Sequence, residues 1–488
     1  MFEKGQTAEL EIVDMSDQGK GIGKAGGHSG GLAVFVDRTV PGDTVKVRIT
    51  KVKKHYAYAN LIKIIEPSEH RIAPLCPYAD ICGGCAFAHL DYEGQLDVKY
   101  GQVMNKLRRI GGVEDPVVRP VISMAEPFHY RNKVTYSIGA GGLTAKNNGI
   151  AENTGKPAVG FFRGNTHEVV NCRKCMLQSA ASMACAEAVR QYMKESGVTA
   201  WDGKWQKGLM RRLVVRTGFM TGEVMAILVV NGRKLPNQER LIELLRQAVH
   251  ESGYSLESVF LNVNTEKGEQ VYGKEMVLLD GCRSIREKFG DLTYGISPLS
   301  FYQVNPVMAR MLYDKVIEYA DLQGEENVLD LYCGVGSIGL WCAKKAGFVV
   351  GIESVRDAVE DAGRNAEIND IKNTRFLCGR AEDLLPEMTG MKPAGRKYEE
   401  ITLSVVNNAD VAILDPPRAG CDRALLEAVI KTGPAKIVYV SCDPATLARD
   451  IKILTEGGYK FIEATPADLF PHTRHVETVV LMSRVEGK

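Results

Sequence analysis

The chain has 488 residues, 45% hydrophobic and 25% charged, the balance of a soluble protein too long for a single core. Lys and Arg number 61 against 60 Asp and Glu, so a net charge of +1 gives no whole-chain argument for a nucleic-acid partner. No apolar run is long enough to span a bilayer, and the start, Met1-Phe2-Glu3-Lys4-Gly5-Gln6, carries no apolar leader; a cytoplasmic protein without membrane attachment is expected.

Residues 6 to about 65 read as short strands, "AELEIVDM", "LAVFVDRTV", "DTVKVRITKVK" and "YANLIKII". The Gly-rich run "DQGKGIGKAGGHSGG" reads as a loop and "VPGD" as a turn. So many short strands in so few residues predict a small OB-like β-barrel, residues 1–66. From Lys46 to Lys63 the chain carries Lys46, Arg48, Lys51, Lys53, Lys54 and Lys63 with no acid between them, and His55, Tyr56 and Tyr58 interleaved. Such a strand can contact phosphates and stack on bases, or be a solvated face.

Pro67 and Pro74 open an α+β region, 67–300, with a helix in "LDVKYGQVMNKLRRI", a hairpin turning at Gly218–Gly222 and an amphipathic helix in "LPNQERLIELLRQAVHES". From 301 to 488 the pattern changes to alternating strands and helices, which predicts a doubly wound, Rossmann-like α/β domain with a mostly parallel sheet. The polar stretch from Thr389 to Asn408 reads as a surface loop.

Twelve cysteines in a long chain without a leader point to metal binding or catalysis rather than disulfides. Cys76, Cys82 and Cys85 cluster, Cys172 and Cys175 form a pair, and Cys442 stands alone in "YVSCDP". The run from Val328 through Tyr332 to Gly334, Gly336 and Gly339 is strand, glycine turn and helix. With Glu353 ending the next strand, it marks a nucleoside cofactor, either a nicotinamide dinucleotide or S-adenosylmethionine. Asp415-Pro416-Pro417 ends a later strand rigidly at the same carboxyl edge, a feature nucleobase methylation uses and dehydrogenation does not. Cys442 closes the following strand beside it. A thiolate there can add to carbon 6 of uracil and make carbon 5 nucleophilic, after which a base must remove the carbon 5 proton. Glu477, His472 and His475 are candidates for that base.

On "SFYQVNP", "DLYCGVGSIGL", "DPPRAG", "YVSCDPATLARD" and "FPHTRHVETV", the chain resembles the RNA uracil-5-methyltransferases, specifically the 23S ribosomal RNA branch that carries a TRAM barrel and an iron–sulfur cluster. The resemblance runs over nearly the whole chain. It implies Cys442 as nucleophile and Glu477 as general base. It also implies that Gln303, Tyr332, Gly334, Gly336, Glu353 and Asp415 contact S-adenosylmethionine, and that Phe301, Asp415 and Arg131 of "YRNK" meet the RNA. A [4Fe-4S] cluster is implied on Cys76, Cys82, Cys85 and, by alignment of "HEVVNCRKCMLQ", Cys175; spacing alone leaves zinc open. The expected partner is 23S ribosomal RNA, not DNA, bound by a monomer. The rivals are an NAD(P)-linked oxidoreductase, a non-catalytic RNA-binding scaffold, and a tRNA methyltransferase, the last disfavoured because that branch is expected to lack the barrel and the cluster.

Overall fold

The computed structural model describes residues 2–24, 31–145, 151–164, 166–268 and 270–485. Five strands, Thr7–Met15, Gly21–Lys24, Ala33–Val36, Thr44–Val52 and Tyr56–Glu66, close into a barrel. Alternation drives it: Leu10, Ile12, Val34, Val36, Val45, Val47 and Ile49 point inward and fill the core. The stretch read wholly as a loop contains the strand Gly21–Lys24; its residues 25–30 lie outside the described set. Glycine hid that strand, and packing explains it. A Cβ at Gly21 would lie 2.1 Å from Thr39 Oγ1, so only glycine fits this side of the barrel. Lys51 on strand Thr44–Val52, Lys53 and Lys54 in the turn after it, and Lys63 on strand Tyr56–Glu66 belong to one hairpin. Beside them Phe35, Tyr56 and Tyr58 form an aromatic cluster with ring centroids 5.6 to 5.7 Å apart.

The buried Asp43 carboxylate takes Arg71 at 2.6 Å and 2.9 Å and so ties the barrel to the segment that follows. The central region builds a nine-stranded sheet. Two helices, Ala180–Ser196 and Gln238–Glu251, pack on it through Val189, Tyr192, Leu241 and Leu245. The first of these has no counterpart among the elements expected from the sequence. Its face is made of alanine and small residues, which give little amphipathic contrast. The predicted helix near residue 93 is Tyr92–Arg109, capped by Asp91.

The last region is a seven-stranded sheet in the order Thr374–Cys378, Phe348–Glu353, Asn327–Leu331, Val411–Leu414, Lys436–Ser441, Glu477–Arg484, Tyr459–Ala467. Six of them run parallel, and Glu477–Arg484 alone runs antiparallel, between Lys436–Ser441 and Tyr459–Ala467. The expected doubly wound α/β domain is therefore present. The predicted loop from Thr389 to Asn408 is corrected: it holds a helix, Glu400–Asn407, whose Thr402, Val405 and Val406 are buried. Among the described residues no helix is long and apolar enough to cross a membrane.

Candidate active site

Parallel strands deliver their ends to one rim, and that rim makes the site. Tyr332 follows Leu331, Glu353 ends its strand, Asp415 follows Leu414, and Cys442 follows Ser441. Glu477 reaches the same rim from the opposite direction because its strand runs antiparallel and begins there. Ser441 pairs with Thr478, so the residues one step outward, Cys442 and Glu477, face across the rim.

The glycine turn is left-handed where the fingerprint requires it: φ is +57° at Gly334 and +79° at Gly336, and Tyr332 takes φ +70° without being glycine. The Gly334 amide donates to Glu353 Oε2 at 3.2 Å, while Glu353 Oε1 accepts from the Val355 amide at 2.8 Å. Gly339 lets the helix approach the strand, since a Cβ there would lie 2.7 Å from Asp330 Oδ2. Cys442 is followed by Asp443, which caps helix Pro444–Glu456 by accepting the amides of Ala445 and Thr446, with Pro444 at the first position. Ser-Cys-Asp-Pro therefore reads as strand end, thiol, cap and helix start, and the thiol lines the cavity from a fixed backbone.

The cavity measures about 740 Å³ and is lined by Phe301, Gln303, Tyr332, Gly334, Glu353, Asp415, Cys442 and Glu477. Gly336 lies behind it against Phe376 and Ala362. Arg131 is elsewhere, between the cysteine cavity and a second, polar pocket bounded by Lys20 of the barrel and by Arg418 and Arg474. Of the histidines, His475 lines the cavity and His472 does not. "YRNK" also acts by support: Asn132 donates to the Gln303 carbonyl at 2.9 Å and Tyr130 to the Pro471 carbonyl at 3.0 Å. Tyr313, Asp330, Glu382, Arg418 and Phe470 line the cavity without any role that the sequence suggested. Asp330 left a signal, an acid inside the apolar strand "NVLDL", and its carboxylate oxygens have no hydrogen-bond partner from a side chain.

Burial dominates the electrostatics. It pushes Glu477 up to about 8, helped by the Asp415 charge and opposed by Arg418. It pushes Asp415 up to about 7 and the Cys442 thiol up to about 11, the latter raised further by Glu477 and lowered by Arg418. His472 and His475 go the other way, to about 4, again through burial. Arg418 Nη2 lies 3.4 Å from His475 Nε2 and is the cation beside this group.

A second cavity, about 440 Å³, is lined by Cys76, Cys82, Cys85, Cys172 and Cys175. Cys82 is bridged to Arg163 of the central sheet, and the Gly83 amide donates to the Phe162 carbonyl at 3.1 Å, which pins this loop. Among the described residues no three His, Cys, Asp or Glu side chains converge on a single-ion position.

The sequence profile of tRNA (Uracil-5-)-methyltransferases matches residues 239–485, and that of the TRAM domain matches residues 2–62. An RNA methyltransferase of Caldanaerobacter subterraneus is 41% identical over 481 residues, 99% of either chain. The chain belongs to the RNA uracil-5-methyltransferase family. A Bacillus cereus RNA methyltransferase is 40% identical over 99% of this chain and 98% of its own. This member of the family is an RNA-methylating enzyme with a TRAM barrel. Among solved structures, the Pyrococcus abyssi tRNA (uracil-54, C5)-methyltransferase in complex with S-adenosyl-L-homocysteine superposes with a TM-score of 0.72 at 29% identity, covering 97% of this chain and 99% of that one. A tRNA enzyme thus shares the whole architecture. The superposition extends over the barrel region, so a barrel does not by itself set tRNA enzymes aside.

Proposed function

We propose that this enzyme transfers a methyl group from S-adenosylmethionine to carbon 5 of a uridine in RNA, through a covalent bond between Cys442 and carbon 6 of the base. The observation that carries this reading is the register Ser441 to Thr478, which faces a thiol and a carboxyl across one cavity. Cys442 must first lose its proton, favoured by Arg418 and by the helix start at Pro444. Its sulfur bonds carbon 6, and the displaced electron pair moves to the carbon 4 oxygen as an enolate. Carbon 5 then takes the methyl as the sulfonium–methyl bond breaks. Glu477 removes the carbon 5 proton, the carbon 6–sulfur bond breaks, and Cys442 leaves as thiolate.

The raised Glu477 is a far stronger proton acceptor than histidines held near 4, which supports it over His472 and His475. For the methyl donor, Glu353 and Tyr332 suit the nucleoside end, while Gln303, Gly334 and Asp415 line the path to the thiol; Gly336 acts by shaping the turn. Phe301, 63% exposed at the mouth, suits stacking on an unstacked base. Asp415, held near 7, suits a hydrogen bond to the uracil edge. Arg131 suits a neighbouring phosphate.

The cysteines fit an iron–sulfur cluster. Thiols lining one cavity are soft donors that suit an iron–sulfur cluster or zinc, and the likeness of the cysteine motif favours the cluster. Cys76, Cys82, Cys85 and Cys175 would be its ligands; Cys175 lies close enough to perturb each of the other three. Cys172 lines the same cavity, pairs its thiol with that of Cys175 and also directs it toward the Lys174 carbonyl at 3.7 Å. The cluster would hold the loop in shape, and the methyl chemistry draws no electrons from it.

The proposed RNA is 23S ribosomal RNA, on the resemblance of the motifs. Mapping 5-methyluridine in ribosomal and transfer RNA from cells with and without the gene tests this. Loss at a 23S position is expected; loss confined to tRNA moves the target, and no loss in either removes the activity.

A further inference from the structure

The segment from Asp468 to Val476 connects the two antiparallel strands of the catalytic sheet and supplies Phe470 and His475 to the cavity before reaching Glu477. The central region, together with Asn305, holds it almost residue by residue. Lys99, on helix Tyr92–Arg109, donates to Asp468 Oδ1 at 2.5 Å and to the Phe470 carbonyl at 3.2 Å. Both side chains of this ion pair are fully buried. Gln95, one turn earlier, accepts the His472 amide at 2.8 Å and approaches His472 Nδ1 at 3.3 Å. The Phe87 amide donates to the His472 carbonyl at 3.1 Å, and the Asn305 side chain to the Leu469 carbonyl at 3.1 Å. Phe128 stacks on the His472 ring at 4.6 Å, and His472 itself takes φ +66°.

A buried ion pair is a poor means of gaining stability, because an apolar pair of similar volume usually does as well. What such a pair does supply is a single allowed position. Glu477 is the first residue of its strand, paired only with Ala467, the residue before Asp468. A terminal pair frays unless its flank is tied; here Ile122 holds the backbone of Ala467 and Asp468, and Lys99 holds the Asp468 side chain. Cys442 needs no such help, since its own strand and the Asp443 cap hold it.

We propose that Lys99, supported by Gln95, is a positioning residue that fixes the Asp468–Val476 segment so that Glu477 meets the carbon 5 proton. It acts on release of the covalent adduct and not on its formation. The inference rests on the assignment of Cys442 and Glu477 above.

The test uses the full-length enzyme with its RNA, following turnover and the fraction of protein held as RNA adduct on a denaturing gel. Lys99→Met should lower turnover by about 10- to 100-fold, the penalty of misplacing a reacting group, while methylated adduct accumulates. A Lys99→Met/Asp468→Leu double variant should recover thermal stability and still accumulate adduct, which a merely structural role would not produce. Gln95→Ala, a milder change in case Lys99→Met fails to fold, should show the same pattern within about 10-fold. Normal turnover in the double variant, or slowing without adduct in the folded variants, overturns the proposal. Glu477→Gln run alongside separates the two levels. If it traps adduct while the Lys99 and Gln95 variants do not, the positioning role fails and the base assignment stands. If Glu477→Gln turns over normally, the base assignment falls and the positioning role falls with it.

Discussion

The two cavities of this enzyme are assembled in different ways. The catalytic cavity collects Tyr332, Glu353, Asp415 and Cys442 from the ends of neighbouring parallel strands, and Glu477 from the start of an antiparallel one. The sheet brings Tyr332, Glu353, Asp415 and Cys442 to one rim by itself, while Glu477 also depends on the segment that leads into its strand. The cysteine cavity joins a loop at 76–85 to Cys172 and Cys175, and only the docking of that loop on the central sheet closes it. Their electrostatics differ as well. In the catalytic cavity burial leaves carboxyls near 7 and 8, a range useful for moving protons. In the cysteine cavity burial, helped by the neighbouring thiols, pushes Cys82 up to about 11 and Cys85 further, so these thiols keep their protons, while the Cys172 thiol beside it brings Cys175 down to about 6.

The sharpest way to separate the cavities is to remove one thiol from each. Cys442→Ala should lower turnover by at least about 1,000-fold and form no covalent RNA adduct, as expected for a group whose removal closes a whole covalent pathway. A fully active variant would end the covalent mechanism. Cys175→Ala should instead lose iron and sulfide from anaerobically purified protein, measured by metal analysis and visible absorbance, while Cys172→Ala keeps them. The reverse pattern would exchange the roles of the pair; stoichiometric zinc without sulfide would replace the cluster.

The catalytic cavity should also respond to pH in a way the cysteine cavity does not. Glu477 must be ionised to accept a proton after methyl transfer, so the rate at which the methylated adduct resolves should rise through about pH 8. Arg418 lowers both Glu477 and Cys442, so Arg418→Ala should move this limb to higher pH. Stability runs opposite to activity. A carboxyl raised in the folded state favours folding while protonated, and that advantage is lost as pH rises through about 8. Glu477→Gln should therefore gain a few degrees of Tm over the natural enzyme at pH 9 and lose that gain at pH 5. A Tm difference independent of pH would remove the buried carboxyl as the cause.

The smallest effect belongs to the lysine-bearing hairpin of the barrel. Changing Lys51, Lys53 and Lys54 to Ala should weaken RNA binding a few-fold and reduce the log–log salt slope by roughly 0.7 to 0.9 for each phosphate that the variant no longer neutralises. An unchanged slope would take the hairpin out of the RNA interface.

What was readable in advance follows from the same contrast. The alternation of strands and helices, the glycine turn, Asp415-Pro416-Pro417 and Ser441-Cys442-Asp443-Pro444 determined a doubly wound domain and most of one rim, because local backbone preferences act over a few residues and strand ends share an edge by construction. The barrel was readable from alternation, apart from a strand hidden by glycines whose reason is contact with Thr39. Tertiary structure alone decided the rest. It set the register that faces Glu477 toward Cys442, and the burial that raises one and lowers the histidines beside it. It placed Arg131 and five cysteines around a separate cavity. It also buried Lys99 against Asp468, residues far apart in the chain. Burial and long-range pairing depend on which surfaces meet, and no local pattern of residues specifies that.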